Sequence, residues 1–447
     1  MNNKGSKMTT IDATLMAAGA IIGAGVFTLT GVAVGVAGPG VPVSFLLAGL
    51  AVMLANIPHM LLASALPVRG GQYLYAARFL SPLMGFLLVW NTVLETLSIA
   101  VVGIAAGQYL PAIIPGISSK MAGALIVIAI ITICLFNIKT SAKVQNTMVI
   151  LILMALGLFI IMGIPRIKYW SFTDMFAVKG LSGILAAVSY VRYAAWGGTN
   201  IVNLAGEIEN PGRTVPRAIA VSTLSISALY AVIAAVAVGV VPWKQMIRQP
   251  LSIAAETFMP SWMFKFFVIG GALFALLTSM LALIMDYSRG VWAAAEDGLF
   301  PAWLGATNKY GVPHRIILLT GAIGLMPILL ELPLDYVFAM MNAPGMLLGL
   351  LATIPAVLAP KKLPHKFENA WFKLPYGLIV AIVLINMAVT LFFCYSLFAT
   401  LTLPTILGIV AFYGGGTVYF YARVNQLKRK GIDLRGKMAA YDPSWVS

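Results

Sequence analysis

The sequence predicts an all-α integral membrane fold of twelve transmembrane helices, and three observations carry that prediction. Of the 447 residues, 60% are hydrophobic and only 10% charged, far below the roughly 25% charge of a soluble globular domain. The mean hydropathy is +0.95. Apolar runs of about 20 residues, each long enough to cross roughly 30 Å of hydrocarbon as a helix, recur from end to end. Lipid offers the backbone no hydrogen-bond partner, so these runs must be helical and open sheets are excluded.

The first run, 10–37, is longer than a signal-peptide core of about 7 to 15 residues and carries Asp12 near its start, so it reads as a retained span. Runs ended by charge, Pro or Gly then give spans at 41–66, 81–108, 121–138, 144–164, 181–206, 216–241, 264–288, 315–331, 335–358, 375–398 and 401–422. The longest outer loops, near 165–180 and 242–263, are caps or gates rather than domains. The chain reads as one transmembrane domain over 1–447. Its parts are a first repeat at 10–164, a second at 181–358, helices eleven and twelve at 375–422, and a tail at 423–447.

An even number of spans puts both termini on one side. Of the 29 Lys and Arg, 21 fall on that side, 7 on the other, and Arg192 within a span. The positive-inside rule therefore predicts a multi-pass cell-membrane protein with both termini cytoplasmic. The same scatter through short loops argues against nucleic acid as the partner of the +15 net charge. Lys428 to Lys430 in the tail serve as an inside anchor, at the level of anionic lipid.

Two spans carry glycine in mid-membrane. The first contains GAIIGAGVF with Gly19, Gly23 and Gly25, and the sixth contains YAAWGGTN with Gly197 and Gly198. Glycine costs about 1 kcal/mol against alanine inside a helix, so such a site either breaks the helix or lets another helix approach closely, as Gly19 and Gly23 do in a small-xxx-small pair. One interruption opens the first five helices and the other opens the next five, and the sixth helix must enter from the opposite side. That is the pattern of a five-plus-five inverted repeat with discontinuous helices 1 and 6. Half-helix N-termini attract a carboxylate, and exposed carbonyls at half-helix C-termini suit an ammonium. A zwitterionic amino acid matches both.

Beyond the breaks, PVRGGQYLY at Pro67 to Tyr75 is similar to a PxxGGxYxY segment. AGEIENPGRTVPRAI at Ala205 to Ile219 is similar to an acidic NPxRxxPxAI linker, and the stretch from Ser288 to Pro313 to an SR...DGxxP...N..G.P signature. In these places the chain resembles the amino acid, polyamine and organocation (APC) superfamily, over roughly residues 10 to 375. The resemblance implies the leucine-transporter-like repeat fold with two further C-terminal helices. It also implies secondary transport of amino acids or related amines by alternating access, without ATP.

Carried over, the resemblance implies that the backbone of Ile21, Ile22, Gly23, Ala24 and Gly25 receives the substrate carboxylate. The carbonyls around Ala194 to Gly197 receive the ammonium, next to Gly198, with Tyr193 or Trp196 covering the site. Arg69, Arg213 and Arg289 with Glu207, Glu209 and Asp297 fall at the cytoplasmic face, where pairing closes the inward path. Two positions depart from the family: Val149 to Leu156 lacks the fifth-helix lysine of many members, and Thr199 stands where diamine and agmatine exchangers carry an acid.

Ionisable groups inside spans cost at least about 2.5 to 3.5 kcal/mol and are functional candidates. Glu95, with Asn91 and Ser98 on its helical face, and Arg192, one turn before the sixth-helix break, are the two deepest. Helical rise puts them at similar depth, so they are expected to pair. Asp286 is expected at the inner interface beside Arg289. Cys134 and Cys394 pack, and His59, His314 and His365 lack the spacing of a metal site. No cofactor, metal or nucleophile–base motif points to an enzyme. The leading reading is transport or exchange of a small amino acid. Alternatives are a permease or exchanger for cationic amino acids or polyamines, with Glu95 as counter-charge, and a non-transporting sensor. A proton, a sodium ion or exchange all remain open as the coupling mode.

Overall fold

The computed structural model describes residues 7–107, 116–136, 138–168, 172, 176–332, 334–398 and 401–441. The end of the third predicted span at 108, residues 169–171 and 173–175 of the loop predicted to lie outside, and the tail beyond 441 lie outside the described residues. The described chain is all-helical, apart from an isolated parallel bridge between Met8 and Ile208.

The first span is two helices, α1 (Thr10–Ile21) and α2 (Ala24–Ala37), followed by α3 (Val41–Ala65). A reciprocal capping box between Thr9 and Asp12 starts α1. The short α4 (Gly71–Phe79) leads into α5 (Pro82–Glu95), capped by Ser81 on the Met84 amide. Then come α6 (Ser98–Gly107), α7 (Ser119–Cys134) and α8 (Ile138–Gly163). The second half opens with α9 (Gly180–Ala195), which passes into a 3-10 turn at Gly198–Val202 and then α10 (Pro211–Val240). A π-helical stretch, Phe267–Leu273, enters α11 (Phe274–Asp297). The longer helices that follow are α12 (His314–Leu329), α13 (Leu334–Leu351), α14 (Pro355–Lys362), α15 (Tyr376–Phe398) and α16 (Leu403–Lys428).

Among the described residues, seven helical segments are long and apolar enough to cross a bilayer, and four shorter apolar helices accompany them. The difference from an unbroken span at every predicted position has local causes. The third span, expected to be continuous, is interrupted at Thr96 and Leu97. There the Thr96 hydroxyl and amide both bond the Thr92 carbonyl, at 2.6 and 2.9 Å, a back-bond that bends helices. The eighth span runs nine residues past its expected end at 288, to Asp297, and is closed by Gly298 in the left-handed region at φ 98°.

Two buried cores organise the packing. One joins α1, the ends of α3 and α8, and α11; the other joins α2, α8, α9 and α10. The interrupted helices lie between them, with α1 against α8, α10 and α11, and α2 against α9. Gly19 abuts the buried Gln145 of α8, so of the small-residue pair Gly19 serves close packing and Gly23 serves the break. Cys134 and Cys394 are both buried and free.

Candidate functional site

The first break falls at Ile22 and Gly23. The Ile22 amide still bonds the Ala18 carbonyl at 2.8 Å, and the Gly23 amide turns back to Ile21 at 2.9 Å. Gly23, extended at φ −111° and ψ −160°, caps α2 without a side-chain hydrogen bond. The first amides of α2, those of Ala24, Gly25 and Val26, therefore lack an intrahelical acceptor. The side chain of Ala24 is outside the described residues.

The second break falls at Trp196 and Gly197. The Trp196 amide bonds the Tyr193 carbonyl at 3.3 Å, Trp196 turns extended, and Gly197 takes φ +127°, a conformation that a side chain resists. The two breaks touch each other. A Cβ added to Gly197 would lie 2.5 Å from the Ala20 carbonyl oxygen, and one on Gly25 would lie 2.6 Å from the Ala194 Cβ. Gly198 faces the Ile21 side chain and Thr223. Ser279 of α11 and Tyr230 of α10 close the first break from behind: the Ser279 hydroxyl reaches the Ile22 carbonyl at 3.5 Å, and the Tyr230 hydroxyl donates to Ile21 at 3.4 Å. Ile21, Ile22, Gly23, Gly25, Ala194, Gly197 and Gly198 thus form one cluster of glycine-opened backbone. Tyr193 and Trp196 stand on its edge, 53% and 40% exposed.

Glu95 and Arg192 do not pair. The ion pairs within 4 Å among the described residues join Arg69 to Glu296, Arg78 to Asp297, Lys120 to Glu331 and Arg289 to Glu207. Glu95 instead accepts a hydrogen bond from the Asn91 amide at 2.7 Å, and Asn91 accepts one from the Tyr413 hydroxyl at 2.6 Å. Arg192 lies with its guanidinium carbon 5.8 Å from the centre of the Trp196 ring. Matching depth does not decide lateral neighbours: α5 packs on α4, α11, α13 and α16, while α9 packs on α2 and α3.

Asp286 also differs from its expected place. Because α11 continues to Asp297, Asp286 sits about 16 Å from the helix end at 1.5 Å per residue and is buried. Its partner is Asn203, whose amide donates at 2.7 Å, not Arg289. Asn203 also accepts from the Gln72 amide at 3.1 Å through its side chain and from the Gly70 amide at 2.9 Å through its backbone. Sequence reasoning passed over Asn203; its signal is an Asn at the end of an interrupted helix, where a short amide meets several orphan groups. Beside this knot the Ser98 and Tyr287 hydroxyls meet at 3.2 Å, tying the span of Glu95 to α11 next to Asp286.

The charges predicted to lie at the cytoplasmic face pair in part as expected. Arg289 donates to Glu207 at 2.9 and 3.2 Å. Arg69 turns to Glu296 at 2.6 Å and stacks 3.6 Å from the Trp292 ring centre. Asp297 binds Arg78 at 2.9 Å and the Tyr73 hydroxyl at 2.6 Å. Arg213 lies over Trp371, and Glu209 engages Met8 through its amide.

An all-helical chain with membrane-length apolar helices and a central cluster of broken backbone is built like a membrane transporter. The family model for amino acid permeases matches residues 8–412, and the chain belongs to that family, within the APC superfamily. It is 30% identical to a branched-chain amino acid permease of Bacillus subtilis, over 79% of this chain and 80% of that protein. It is 29% identical to a methylthioribose transporter of Bacillus subtilis, over 95% of both. It is also 31% identical to cationic amino acid transporter 4 of Mus musculus, over 73% of this chain and 55% of that protein.

Proposed function

We propose that the chain carries a small amino acid across the cell membrane by alternating access, on a twelve-helix, five-plus-five inverted-repeat scaffold with both termini in the cytoplasm. The observation that supports this best is the contact between the two broken helices, Gly25 against Ala194 and Gly197 against Ala20. On this reading the free amides of Ala24, Gly25 and Val26 hold the substrate carboxylate, aided by the positive end of α2. The carbonyls ending α1 and α9, around Ala20 and Ala194 to Gly197, hold the ammonium. Tyr193 and Trp196 flank the entrance, and the Arg289–Glu207 pair closes the cytoplasmic side. Exchange and coupling to a proton or sodium ion are both compatible with this site.

A second reading has one specific support. Glu95, at the end of α5, and Asp286, midway along α11, are carboxylates whose spans are linked through Ser98 and Tyr287, and they suit the side-chain cation of a basic amino acid or diamine; one relative is named as a cationic amino acid transporter. Uptake into proteoliposomes separates the two. Leucine, alanine and threonine are expected to be counter-transported or accumulated by the first, arginine and lysine by the second. Absence of any amino acid flux from well-folded protein would leave the sensor reading.

A further inference from the structure

We propose that the chain carries a binding site for the headgroup of an anionic phospholipid, on the membrane face that bears its termini. The proposal rests on the chain lying in a bilayer, not on the substrate it moves. Where the end of α3, α14, the short helix Pro364–Glu368 and the start of α15 meet, the surface forms an open cavity of about 570 Å³. Its floor is apolar, built from the buried side chains of Leu61, Phe367 and Ile379. Its rim carries Lys361, Lys373 and Tyr376, with the Lys361 ammonium 5.1 Å from the Tyr376 ring centre.

Three features fix the class of ligand. The Lys373 ammonium donates to the Glu368 carbonyl at 2.9 Å, and with three donors it retains capacity for a phosphate. The 361–373 segment carries Lys361, Lys362, His365, Lys366 and Lys373 against the single acid Glu368, which also lines the cavity, so the rim attracts anions. The cavity lies where polar loop meets lipid-facing wall: Leu378, two residues past Tyr376, is 46% exposed, and Trp371, 51% exposed, holds Arg213 at 5.7 Å. Aromatic and basic side chains gather at this level of a membrane protein. Basic pockets between helix ends on this side bind anionic headgroups. A free phosphate would leave the apolar floor uncovered, and a zwitterionic headgroup would bring its own cation against the lysines. A phosphodiester with an acyl chain satisfies both rim and floor.

Native mass spectrometry of the purified full chain, titrated with phosphatidylglycerol or with phosphatidylcholine of the same acyl chains, tests the site. Preferential retention of phosphatidylglycerol is expected. Lys361→Ala with Lys373→Ala should weaken it roughly 30-fold, the equivalent of about 1 kcal/mol per lysine. Lys244→Ala with Lys265→Ala, both exposed and neither lining this cavity, should leave it unchanged. If the double variant does not fold, Lys361→Gln alone should still weaken retention about fivefold. Equal retention of both lipids, or no effect of the lysine changes, overturns the proposal. So does displacement of phosphatidylglycerol by millimolar inorganic phosphate, which would mark a soluble-anion site. Because the readout is lipid retention, a failure of the transport reading leaves it untouched.

Discussion

Gly25 of the second half-helix sits directly on Ala194 of the sixth span, so closely that a Cβ on Gly25 would fall 2.6 Å from the Ala194 Cβ and 2.9 Å from its Cα. This contact is what places the two broken helices edge to edge, and it depends on both residues being small. Gly25→Ala is therefore expected to push α2 from α9 and lower uptake at least tenfold, at a stability cost of about 1 to 3 kcal/mol for overpacking. Ala194→Gly in the same chain should recover part of both losses. A thermal melt with an uptake assay checks it; equal uptake by Gly25→Ala and the parent would detach the site from this contact.

Glu95 and Arg192 are held by different neighbours, so their changes should be independent. Glu95→Gln keeps an oxygen that accepts from Asn91, and Arg192→Gln removes the cation beside Trp196. A double-mutant cycle on melting temperature is expected to be additive within about 0.5 kcal/mol. A coupling of 2 kcal/mol or more would restore the ion pair. Glu95→Gln also separates the substrate readings: affinity for a cationic amino acid should fall tenfold or more while that for a neutral one changes little.

Much of this arrangement was legible from residue order alone. The clustered glycines marked both breaks because they stand inside apolar runs, where only a break or a tight packing contact gives glycine a use. The Arg289–Glu207 pair lay within reach of the motif residues. The break beside Glu95 was hidden, since Thr96 bends the helix through one side-chain bond that an apolar window does not register. The Asp286–Asn203 contact depends on two elements 83 residues apart and on α11 outrunning its apolar stretch. Lateral placement, which separated Glu95 from Arg192, has no signal in helical rise.

Asn203 makes the next test. Its amide serves Asp286 while its carbonyl oxygen takes the Gln72 amide, so Asn203→Leu orphans one carboxylate and one backbone donor together. Orphaned buried groups cost about 1 to 3 kcal/mol each, more when charged. Asp286→Asn still accepts from Asn203 and removes a buried charge that no ion pair within 4 Å offsets among the described residues; it should be neutral or stabilising. A lowered melting temperature for Asn203→Leu and an unchanged or raised one for Asp286→Asn are the expected result. Destabilisation by Asp286→Asn as large as by Asn203→Leu would mean that the carboxylate itself is needed.

The last prediction concerns the closure proposed at the Arg289–Glu207 pair. The Arg289 guanidinium, 2% exposed, bonds Glu207 through two nitrogens and the Ser288 hydroxyl through a third. Glu207 follows the 3-10 end of the sixth span, and its carbonyl accepts the Met8 amide at 2.9 Å. One ion pair thus fastens α11, the end of the broken sixth helix and the segment leading into α1. Removing one partner of a buried pair leaves the other charge uncompensated, at roughly 3 to 5 kcal/mol. Arg289→Met strands Glu207, whose side chain is 19% exposed and is rehydrated by a small movement. Glu207→Gln strands the more deeply buried arginine. Glu207→Gln should therefore be the more destabilising of the two, and the double change milder than either. If the pair also gates the inward path, both single variants should speed hydrogen exchange at Met8 to Asp12 and around Asn203 while exchange in α8 and α10 stays slow. Faster exchange spread evenly over all helices would make the pair a general brace and remove its role in gating.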